Sequence, residues 1–507
     1  MSLLRRTPVR AAILLALASP CTTAAQRSAA PPPTGGSSAG APSAPASQSL
    51  VIRSQILGEE RRVSIALPPS HANTTRAYPV IIVLDGEYLF TPAKTTAEWL
   101  AGVGHVPEAI VVGIENTNRL RDLTPPGLSV SGSSLNEGGD RFLDFIEREL
   151  LPMLAERYRG GTPRVFVGHS SGGILATWAA ATRSTAFPLT LSIDAPVYLS
   201  DSWLGTRLTE RARAGGPGLV RYVSMEGRFG WTDASWNQLA ATVPPSWRLH
   251  RQRLQGESHN TMPMLAMYLG LRDLFSDYSV VNAPSVPRAA ASQTVAHYQR
   301  LRDALGARQL PPPRIVLRQL FEDLLTEASV EPARQVLAWL TEGYGRQPDQ
   351  GELEAQLAHA ATLPPLAETV ESLKATPFPS PREIAPFVGE WRGHTWINPA
   401  ARNPLGLRIA VVEGKVVAEF IHGPMEPGGP EEILRADYLK VVPGGLHVGL
   451  MNGMRPRGII VTEGQLSGDV LEGRQSFRGI RLPLPNGFMP PPIHFRLVRQ
   501  PAAATGS

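Results

Sequence analysis

The sequence predicts an α/β domain with a mainly parallel sheet, followed by a short helical segment and a small all-β domain. From residue 50 to residue 275, short β-rich runs alternate with helical stretches, which is the pattern of strands joined by crossover helices. After residue 284 helical patterns take over, and from residue 384 short β runs return between Gly- and Pro-rich turns. These changes place the α/β domain at residues 49–283, a helical spacer at 284–377 and a β domain at 384–500.

The β runs of the α/β domain differ in character along the chain. Residues 51–53 and 63–67 predict an antiparallel pair that opens the domain. The next runs suit strands covered on both faces, because they are almost continuously apolar; they lie at residues 80–84, 109–114 and 165–167. Further strands are predicted at residues 189–193, 220–224 and 249–254, and an amphipathic helix at 142–150.

The last two segments predict different architectures. In the spacer, Ser329 suits the start of one helix and Asp349 the start of the next, and such a pair loosely resembles a tetratricopeptide unit. No second copy follows at a fixed period, which favours a simple spacer. In the β domain, the runs at 407–412, 416–421 and 458–461 predict an antiparallel barrel or sandwich. We expect this domain to add contacts or a partner surface rather than a ligand pocket.

The N-terminus has the features of a secretory signal peptide. Three early arginines precede an apolar run at residues 11–18, and small residues near Ala25 suit a cleavage site. The apolar run is too short to span a bilayer as a mature anchor. We therefore expect residues 1–25 to be removed from an exported, periplasmic or extracellular protein. Residues 26–48, rich in Ala, Pro and Ser, should form a disordered linker.

Composition excludes several function classes. Cys21 is the only cysteine, so no intrachain disulfide can form. Loss of the three early arginines with the signal peptide lowers the formal net charge from +5 to +2. This leaves no charge-based case for nucleic acid or a membrane surface as a partner, and we expect no stable membrane span.

The most specific motif is Gly-His-Ser-Ser-Gly-Gly at residues 168–173. It follows the apolar run 164–167 and precedes a helix-like stretch at 174–180. A G-x-S-x-G sequence between a strand and a helix is typical of a nucleophile elbow, a sharp turn that exposes the serine hydroxyl. Ser170 is therefore the candidate nucleophile.

A serine hydroxyl needs a base, and a third group that orients the base. Around such an elbow the chain order is serine, acid, histidine. The other histidines precede or adjoin Ser170, lie inside a strand or lie beyond the α/β domain. His259, in a polar loop between the last β run and a helix at 262–275, is the candidate base.

Three carboxylates compete for the third position. Glu226 lies nearest the end of the penultimate strand and is preferred to Asp233, which follows it in the same loop. Asp194 ends the preceding strand and is the third candidate, because some domains of this kind place the acid one strand earlier. Glu257 lies so close to His259 in sequence that we expect it to be a surface or neighbouring charge.

The negative charge that develops on an attacked carbonyl oxygen requires fixed N–H donors. One donor is expected at Ser171, directly after the nucleophile. The other is expected at Glu87, in the turn after the run 80–84, where Gly86 lets the chain fold back over the site. Three charged residues follow the next strand and either shape the substrate entrance or form a structural ion pair: Arg119, Arg121 and Asp122.

Three separated motifs resemble those of a known family. Residues 78–87, 112–125 and 168–173 are similar, in this order, to the putative-esterase family of α/β hydrolases, which includes enterochelin esterases and resembles esterase D. The resemblance runs from about residue 49 to residue 275. It implies an α/β-hydrolase fold and a serine ester hydrolase with Ser170 as nucleophile and His259 as base. The region around Glu226 does not match the family's acidic position cleanly.

These residues predict an exported hydrolase that cleaves small-molecule or polymer-borne carboxylic esters through an acyl-enzyme on Ser170. This chemistry requires neither a metal ion nor an organic cofactor. Two alternatives stay open. The same acyl-enzyme would serve an acyltransferase, and a binding protein could retain the hydrolase domain as a relic.

Overall fold

The computed structural model describes residues 47–130, 133–134, 137–197, 201–214, 220–279, 291–307, 309–423, 429–451, 458–482 and 491–501. The predicted signal peptide and nearly all of the predicted linker lie outside these residues. The chain divides into two compact units. One contains the described residues up to Leu320 together with 335–350, and the other contains 321–334 and the described residues from Gly351 onward.

An eight-stranded mixed sheet forms the centre of the first unit. Its strands are β1 Gln48–Ser54, β2 Glu59–Ala66, β3 Tyr78–Val83, β4 Ile110–Ile114, β7 Gly160–His169, β8 Leu189–Ile193, β9 Val220–Glu226 and β10 Trp247–Arg253, and a separate small ladder joins β5 Ser129–Val130 to β6 Ser133–Ser134. The strand order is β1-β2-β4-β3-β7-β8-β9-β10. Strand β1 is antiparallel to β2, β2 is antiparallel to β4, and the remaining neighbours are parallel. The predicted opening pair and mainly parallel sheet are confirmed.

Both faces of this sheet are covered, as the apolar strands require. In β3, Val80 and Ile82 belong to one buried core, whereas Ile81 and Val83 belong to the other. Helices α1 and α8 supply side chains to the core that contains Ile81, and α3 and α5 supply the opposite core. The helices of this unit are α1 Gly86–Gly102, α2 Arg119–Asp122, α3 Gly139–Phe145, α4 Leu151–Tyr158, α5 Ser171–Thr182, α6 Asp201–Ala214, α7 Asp233–Ala240, α8 Met262–Leu274 and α9 Ala291–Ala304.

The parallel arrangement decides where a site can form. The carboxyl ends of parallel strands lie at one edge of the sheet, and ligands in open α/β sheets bind outside that edge. The segments that follow β3, β7 and β8 carry Glu87, Ser170 and Asp194, and Glu226 ends β9. These residues, all singled out from the sequence, therefore share one edge.

A buried ion pair ties β2 to the segment after β4. Arg61 is fully buried, and its Nη2 donates to Asp122 Oδ2 at 2.5 Å and to Glu59. Arg121 bonds the same two carboxylates, at 2.7 Å to Asp122 and at 2.5 Å to Glu59. The hydrogen bond from Arg121 is the main cause that lowers the pKa of Glu59. Of the two roles open for Arg121 and Asp122, the structure gives them a structural ion pair.

Replacing Asp122 with asparagine is expected to lower the free energy of unfolding of this unit by roughly 3 kcal/mol, because the buried Arg61 charge would lose compensation. Chemical denaturation followed by tryptophan fluorescence measures this loss. Glu60→Gln is the matched control, since the exposed Arg53–Glu60 pair joins β1 to β2 and should contribute less than about 1 kcal/mol. Equal losses in both variants would contradict the prediction.

The helices that follow are α10 Arg314–Thr326, α11 Val330–Tyr344, α12 Gln350–Thr362, α13 Val370–Lys374 and α14 Pro381–Ile384. Residue Val330 begins α11 directly after Ser329, and Gln350 begins α12 directly after Asp349, so both predicted helix starts lie within one residue of the structure. The described residues between 291 and 377 thus contain helices and none of the numbered strands.

A nine-stranded antiparallel sheet dominates the second unit. Its strands are β11 Gly389–Trp396, β12 Arg402–Val412, β13 Lys415–His422, β14 Glu432–Arg435, β15 Tyr438–Val442, β16 Gly445–Met451, β17 Ile459–Ser467, β18 Val470–Arg478 and β19 Ile493–Arg499. Alternate side chains of β12, Leu405, Leu407 and Ile409, are buried in the core that contains Trp391. Strands β14 and β15 form the two edges, so within the described residues the ladder stays open. The antiparallel β prediction is confirmed.

Candidate active site

The turn at Ser170 joins β7 to α5. Ser170 has φ 59° and ψ −123°, a conformation that L-residues rarely adopt and that costs about 1–3 kcal/mol. Its amide donates to the Ile193 carbonyl at 2.9 Å, which fixes the turn against β8. Glycine is required at Gly168, because a Cβ there would lie 2.0 Å from the Gly172 carbonyl oxygen. The strained backbone gives Ser170 the conformation expected of a nucleophile elbow.

Asp194 follows β8, beside this turn, and is fully buried. Its Oδ2 accepts a hydrogen bond from His259 Nδ1 at 2.7 Å. Its Oδ1 accepts the amides of Gly227 at 2.8 Å and Phe229 at 2.7 Å. Because both oxygens are bonded, the carboxylate has one orientation and holds the imidazole with its Nδ1–H toward it.

The structure corrects the sequence-based choice of the acid that holds His259. Glu226, the first choice, is buried at the end of β9, but its Oε2 accepts from Arg251 Nε at 2.7 Å. Asp233, the second choice, is exposed in α7 and accepts from Arg251 Nη1 at 2.8 Å. Both carboxylates therefore bond the Arg251 guanidinium on β10 and not His259. The third candidate, Asp194, is the carboxylate that contacts His259.

His259 lies in the loop between β10 and α8, as expected from the sequence. Since Nδ1 bonds Asp194, the other ring nitrogen, Nε2, is the atom that can take a proton from a hydroxyl. The ring centroid lies 4.4 Å from that of His169 and 5.2 Å from that of Phe229, which meets it edge-on. Among the described residues no hydrogen bond joins the Ser170 hydroxyl to His259; such contacts often tighten only when substrate binds. The structure thus brings His259 to the residue that directly precedes Ser170.

Two helices begin at this edge, α5 at Ser171 and α1 at Gly86. The first amides of a helix have no acceptor within the helix and carry its partial positive charge. The two helix starts are close together, because a Cβ on Gly172 would lie 3.4 Å from Asp85 Oδ2. The amides predicted as oxyanion donors, those of Ser171 and Glu87, therefore lie in the first turns of two adjacent helices.

The carboxylate of Glu87 has a different contact. It accepts the Asn116 amide at 3.2 Å and Asn116 Nδ2 at 2.6 Å. These bonds connect the start of α1 to the segment after β4. The Glu87 carboxylate therefore stabilises the loop through Asn116. Only the backbone amide of Glu87 is a candidate oxyanion donor.

Asp85 is a buried carboxylate that the sequence analysis did not single out. It accepts from Arg119 through both oxygens, at 2.7 and 3.1 Å, and from Asn116 Nδ2 at 2.7 Å. The bond to Asp85 raises the pKa of Arg119, and burial, aided by Asp85, raises the pKa of Tyr88 to about 12. Arg119 Nη2 also lies 3.5 Å from the His169 carbonyl oxygen. An aspartate directly after a buried strand, with an arginine after the next strand, is the sequence signal for this pair.

Arg119 therefore differs from its sequence neighbours Arg121 and Asp122. Its guanidinium links the segment that precedes the Glu87 amide to the segment that precedes Ser170. It is also partly exposed at this edge of the sheet. Arg119 is therefore placed to fix the positions of the two helix starts relative to each other.

The described ranges contain neither a candidate metal-binding cluster nor a candidate membrane-spanning helix. In these ranges no three His, Cys, Asp or Glu side chains are grouped so that they could hold a metal ion. No helix in the same ranges is both long and apolar enough to cross a membrane.

Part of the first unit is similar to known sequences. Residues 54–270 match the family described as "Putative esterase". The uncharacterized protein YbbA of Bacillus subtilis is 31% identical over 125 residues, which are 24% of this chain and 50% of that protein. The siderophore triacetylfusarinine C esterase of Aspergillus fumigatus is 34% identical over 126 residues, 22% of this chain and 41% of that protein. The chain thus spans half or less of the length of the curated relatives it matches.

A solved structure is similar over a larger part of the chain. The IroE-like serine hydrolase from Shewanella oneidensis is 28% identical, with a TM-score of 0.50. The match covers 58% of this chain and 99% of that structure. Together with the sheet order and the elbow, these matches show that residues 54–270 match the putative esterase family and lie in an α/β-hydrolase-like fold.

Proposed function

We propose that this protein hydrolyses carboxylic esters through an acyl-enzyme on Ser170. His259 is the general base, Asp194 orients it, and the amides of Ser171 and Glu87 form the oxyanion hole. The observation that carries the proposal is the 2.7 Å hydrogen bond from His259 Nδ1 to Asp194, beside a serine in a strained turn. A serine, an imidazole and an orienting carboxylate in this chain order are the parts that nucleophilic acyl transfer requires.

The reaction proceeds in two halves. Ser170 Oγ attacks the ester carbonyl carbon while its proton passes to His259 Nε2, and the carbonyl oxygen becomes an alkoxide that the two amides stabilise. The carbon–oxygen bond to the alcohol then breaks, and His259 returns the proton to the leaving oxygen. A water molecule, deprotonated by the same nitrogen, attacks the acyl-enzyme and releases the carboxylic acid and free Ser170.

The helix starts supply the electrostatic part of this reaction. The oxyanion would lie at the N-terminal ends of α5 and α1, where the unpaired amides and the helix dipoles favour negative charge. Arg119 links these two ends, because it donates to Asp85, before α1, at 2.7 Å and lies 3.5 Å from the His169 carbonyl oxygen, before Ser170. A donor set that is fixed before the substrate binds need not reorganise during the reaction.

A fluorophosphonate probe tests the proposal directly. We expect the wild-type protein to be labelled at Ser170, as read by mass spectrometry of the modified peptide, and Ser170→Ala to lose the label. Ser467→Ala, an exposed serine of β17, is the matched control and should be labelled like the wild type. Absence of label on Ser170 in folded wild-type protein would favour a binding protein with a relic domain.

Product analysis separates hydrolysis from acyl transfer. With a short activated ester in water the expected product is the free acid, and added alcohol should divert only a minor share of the acyl group. A dominant acyl-alcohol product would instead assign an acyltransferase. Because one curated relative is named as an esterase of triacetylfusarinine C, that compound belongs in the substrate panel.

Two further expectations complete the proposal. We propose that the protein is exported after cleavage near Ala25, which the size and location of the mature protein in cell fractions would test. We also propose that α11 and α12 loosely resemble a tetratricopeptide unit, since they are helices of 15 and 13 residues in direct succession.

A further inference from the structure

His169 directly precedes the nucleophile in the chain, and its side chain contacts the base. Its imidazole is buried, with 4% of the residue exposed. Its Nε2 lies 2.9 Å from the His259 backbone carbonyl oxygen, and its ring lies against the His259 ring at 4.4 Å between centroids. It contacts the base at both the main chain and the ring.

We infer that His169 is a positioning residue, which sets the place of His259 relative to Ser170 by donating its Nε2–H to the His259 carbonyl. This inference rests on the proposed function and deepens it. Within the Gly-His-Ser-Ser-Gly motif, the glycines and the serine account for the turn, so the elbow geometry does not require a histidine. The inference gives His169 a role of its own.

The contacts determine the tautomer of His169. A carbonyl oxygen only accepts hydrogen bonds, so the bond to His259 requires the proton on Nε2. A neutral imidazole then has a bare Nδ1, and Nδ1 is in fact buried with no hydrogen-bond partner among the described residues. With Nδ1 unprotonated, His169 has no buried N–H group without an acceptor. The other tautomer would bury an unpaired N–H at Nδ1 and would also lose the bond to His259, so it costs more free energy.

The charge state of His169 fits the same role. Burial lowers the pKa of His169 to about 4, and the nearby His259 acts in the same direction. His169 is therefore uncharged at neutral pH and does not repel the positive charge that His259 acquires during catalysis. A second cation 4.4 Å from the base would disfavour that step.

The connection matters because His259 is held from two sides. Asp194 fixes the Nδ1 side of its ring at 2.7 Å, but a single hydrogen bond lets the ring and its loop pivot about that contact. The bond from His169 fixes the main chain of the same residue. Since His169 is covalently joined to Ser170, any shift of one catalytic group is passed to the other. A displacement of about 1 Å in such a pair can cost about 10²-fold in rate.

A pair of nearly isosteric substitutions tests this role. Glutamine keeps an N–H donor at about the distance of Nε2 from the main chain, whereas methionine has a similar unbranched shape and no donor. With a short activated ester, we expect His169→Met to lower kcat by about 10²-fold with KM within about 3-fold. His169→Gln should retain kcat within about 5-fold, and the rate of fluorophosphonate labelling of Ser170 should follow kcat in each variant.

Unfolding midpoints of both variants show whether each is folded under the assay conditions, so that their kcat values can be compared. If His169 only fills space in the core, the two variants should lose activity equally, and that result would overturn the inference. Equal kcat in His169→Met and the wild type would overturn it as well. Failure of the proposed function looks different, because the wild type would then neither turn over the ester nor take up the label at Ser170.

Discussion

Replacing Asp194 with asparagine is expected to lower kcat for a short activated ester by about 10⁴-fold, with little change in KM. The reason lies in the bonds of the carboxylate. Asp194 Oδ1 accepts two amides, at 2.8 and 2.7 Å, so the carbonyl oxygen of an asparagine would stay on that side. Its NH₂ group would then face His259 Nδ1.

The asparagine therefore selects the wrong tautomer of the base. With an N–H donor against it, His259 Nδ1 must accept, and the ring proton moves to Nε2. Nε2 can then no longer take the proton of Ser170. Steady-state kinetics of the purified variant measures the loss, and an unchanged unfolding midpoint would show that the variant is folded.

Glu226→Gln is the matched control for this substitution. Glu226 is as buried as Asp194, but it bonds Arg251 and the Trp231 amide instead of the base. We expect this variant to lose stability, because the mostly covered Arg251 guanidinium keeps its charge with a weaker partner, while kcat of the folded fraction stays within about 10-fold. A fall in kcat as large as that of the Asp194 variant would instead assign Glu226 as the acid of the triad.

The second large effect is expected at Ser170. Ser170→Ala should reduce kcat by about 10⁵- to 10⁶-fold, because no acyl-enzyme can form and only the remaining donors and binding contacts act on the ester. The substitution removes one oxygen atom and leaves the turn unchanged. Far-ultraviolet circular dichroism and the unfolding midpoint should therefore match the wild type.

Two outcomes would contradict the assignment of Ser170. Turnover within about 10-fold of the wild type would show that another group attacks the ester. A burst of alcohol release that persists in Ser170→Ala would show that the acyl group resides on a different residue. Single-turnover kinetics with a chromogenic ester records both.

The strand positions follow closely from local sequence, because strands covered on both faces must be apolar without interruption. The runs at 109–114 and 189–193 correspond to β4 Ile110–Ile114 and β8 Leu189–Ile193. The run at 165–167 captured only part of β7 Gly160–His169, whose first residues are less buried and carry Gly, Thr and Pro. Burial periodicity therefore predicts a strand's centre better than its ends.

The acid of the triad depends on contacts that no local pattern reveals. Asp194 and Glu226 both come at the end of a buried strand, and the placement of His259 beside one and Arg251 beside the other separates them. Arg253 pairs in register with Glu226, and Arg251 lies two positions earlier on the same strand. The sequence does show two arginines at alternate positions on β10, Arg251 and Arg253. They indicate a partner for Glu226 only once β9 and β10 are known to be neighbours.

The same limit applies to the residues around the base. His259 could be found by elimination, because chain order and loop position are properties of the sequence. Its bond with His169 joins positions separated by 90 residues, and the Asp85–Arg119 pair is separated by 34. Such contacts arise from the parallel ladder, which brings distant strand ends together.

Placing the acid after β8 has a mechanical consequence. Strands β7 and β8 are direct neighbours, with Gly168 opposite Ser192 and His169 opposite Ile193. The nucleophile and the acid therefore directly follow two strands of one hydrogen-bonded ladder, and the Ser170 amide itself donates to Ile193. They should open only with the sheet itself, whereas His259 lies on a loop. Local unfolding begins where few buried contacts hold the chain. On gentle heating, amide exchange should accelerate first around His259, and activity should be lost reversibly while the central strands remain protected.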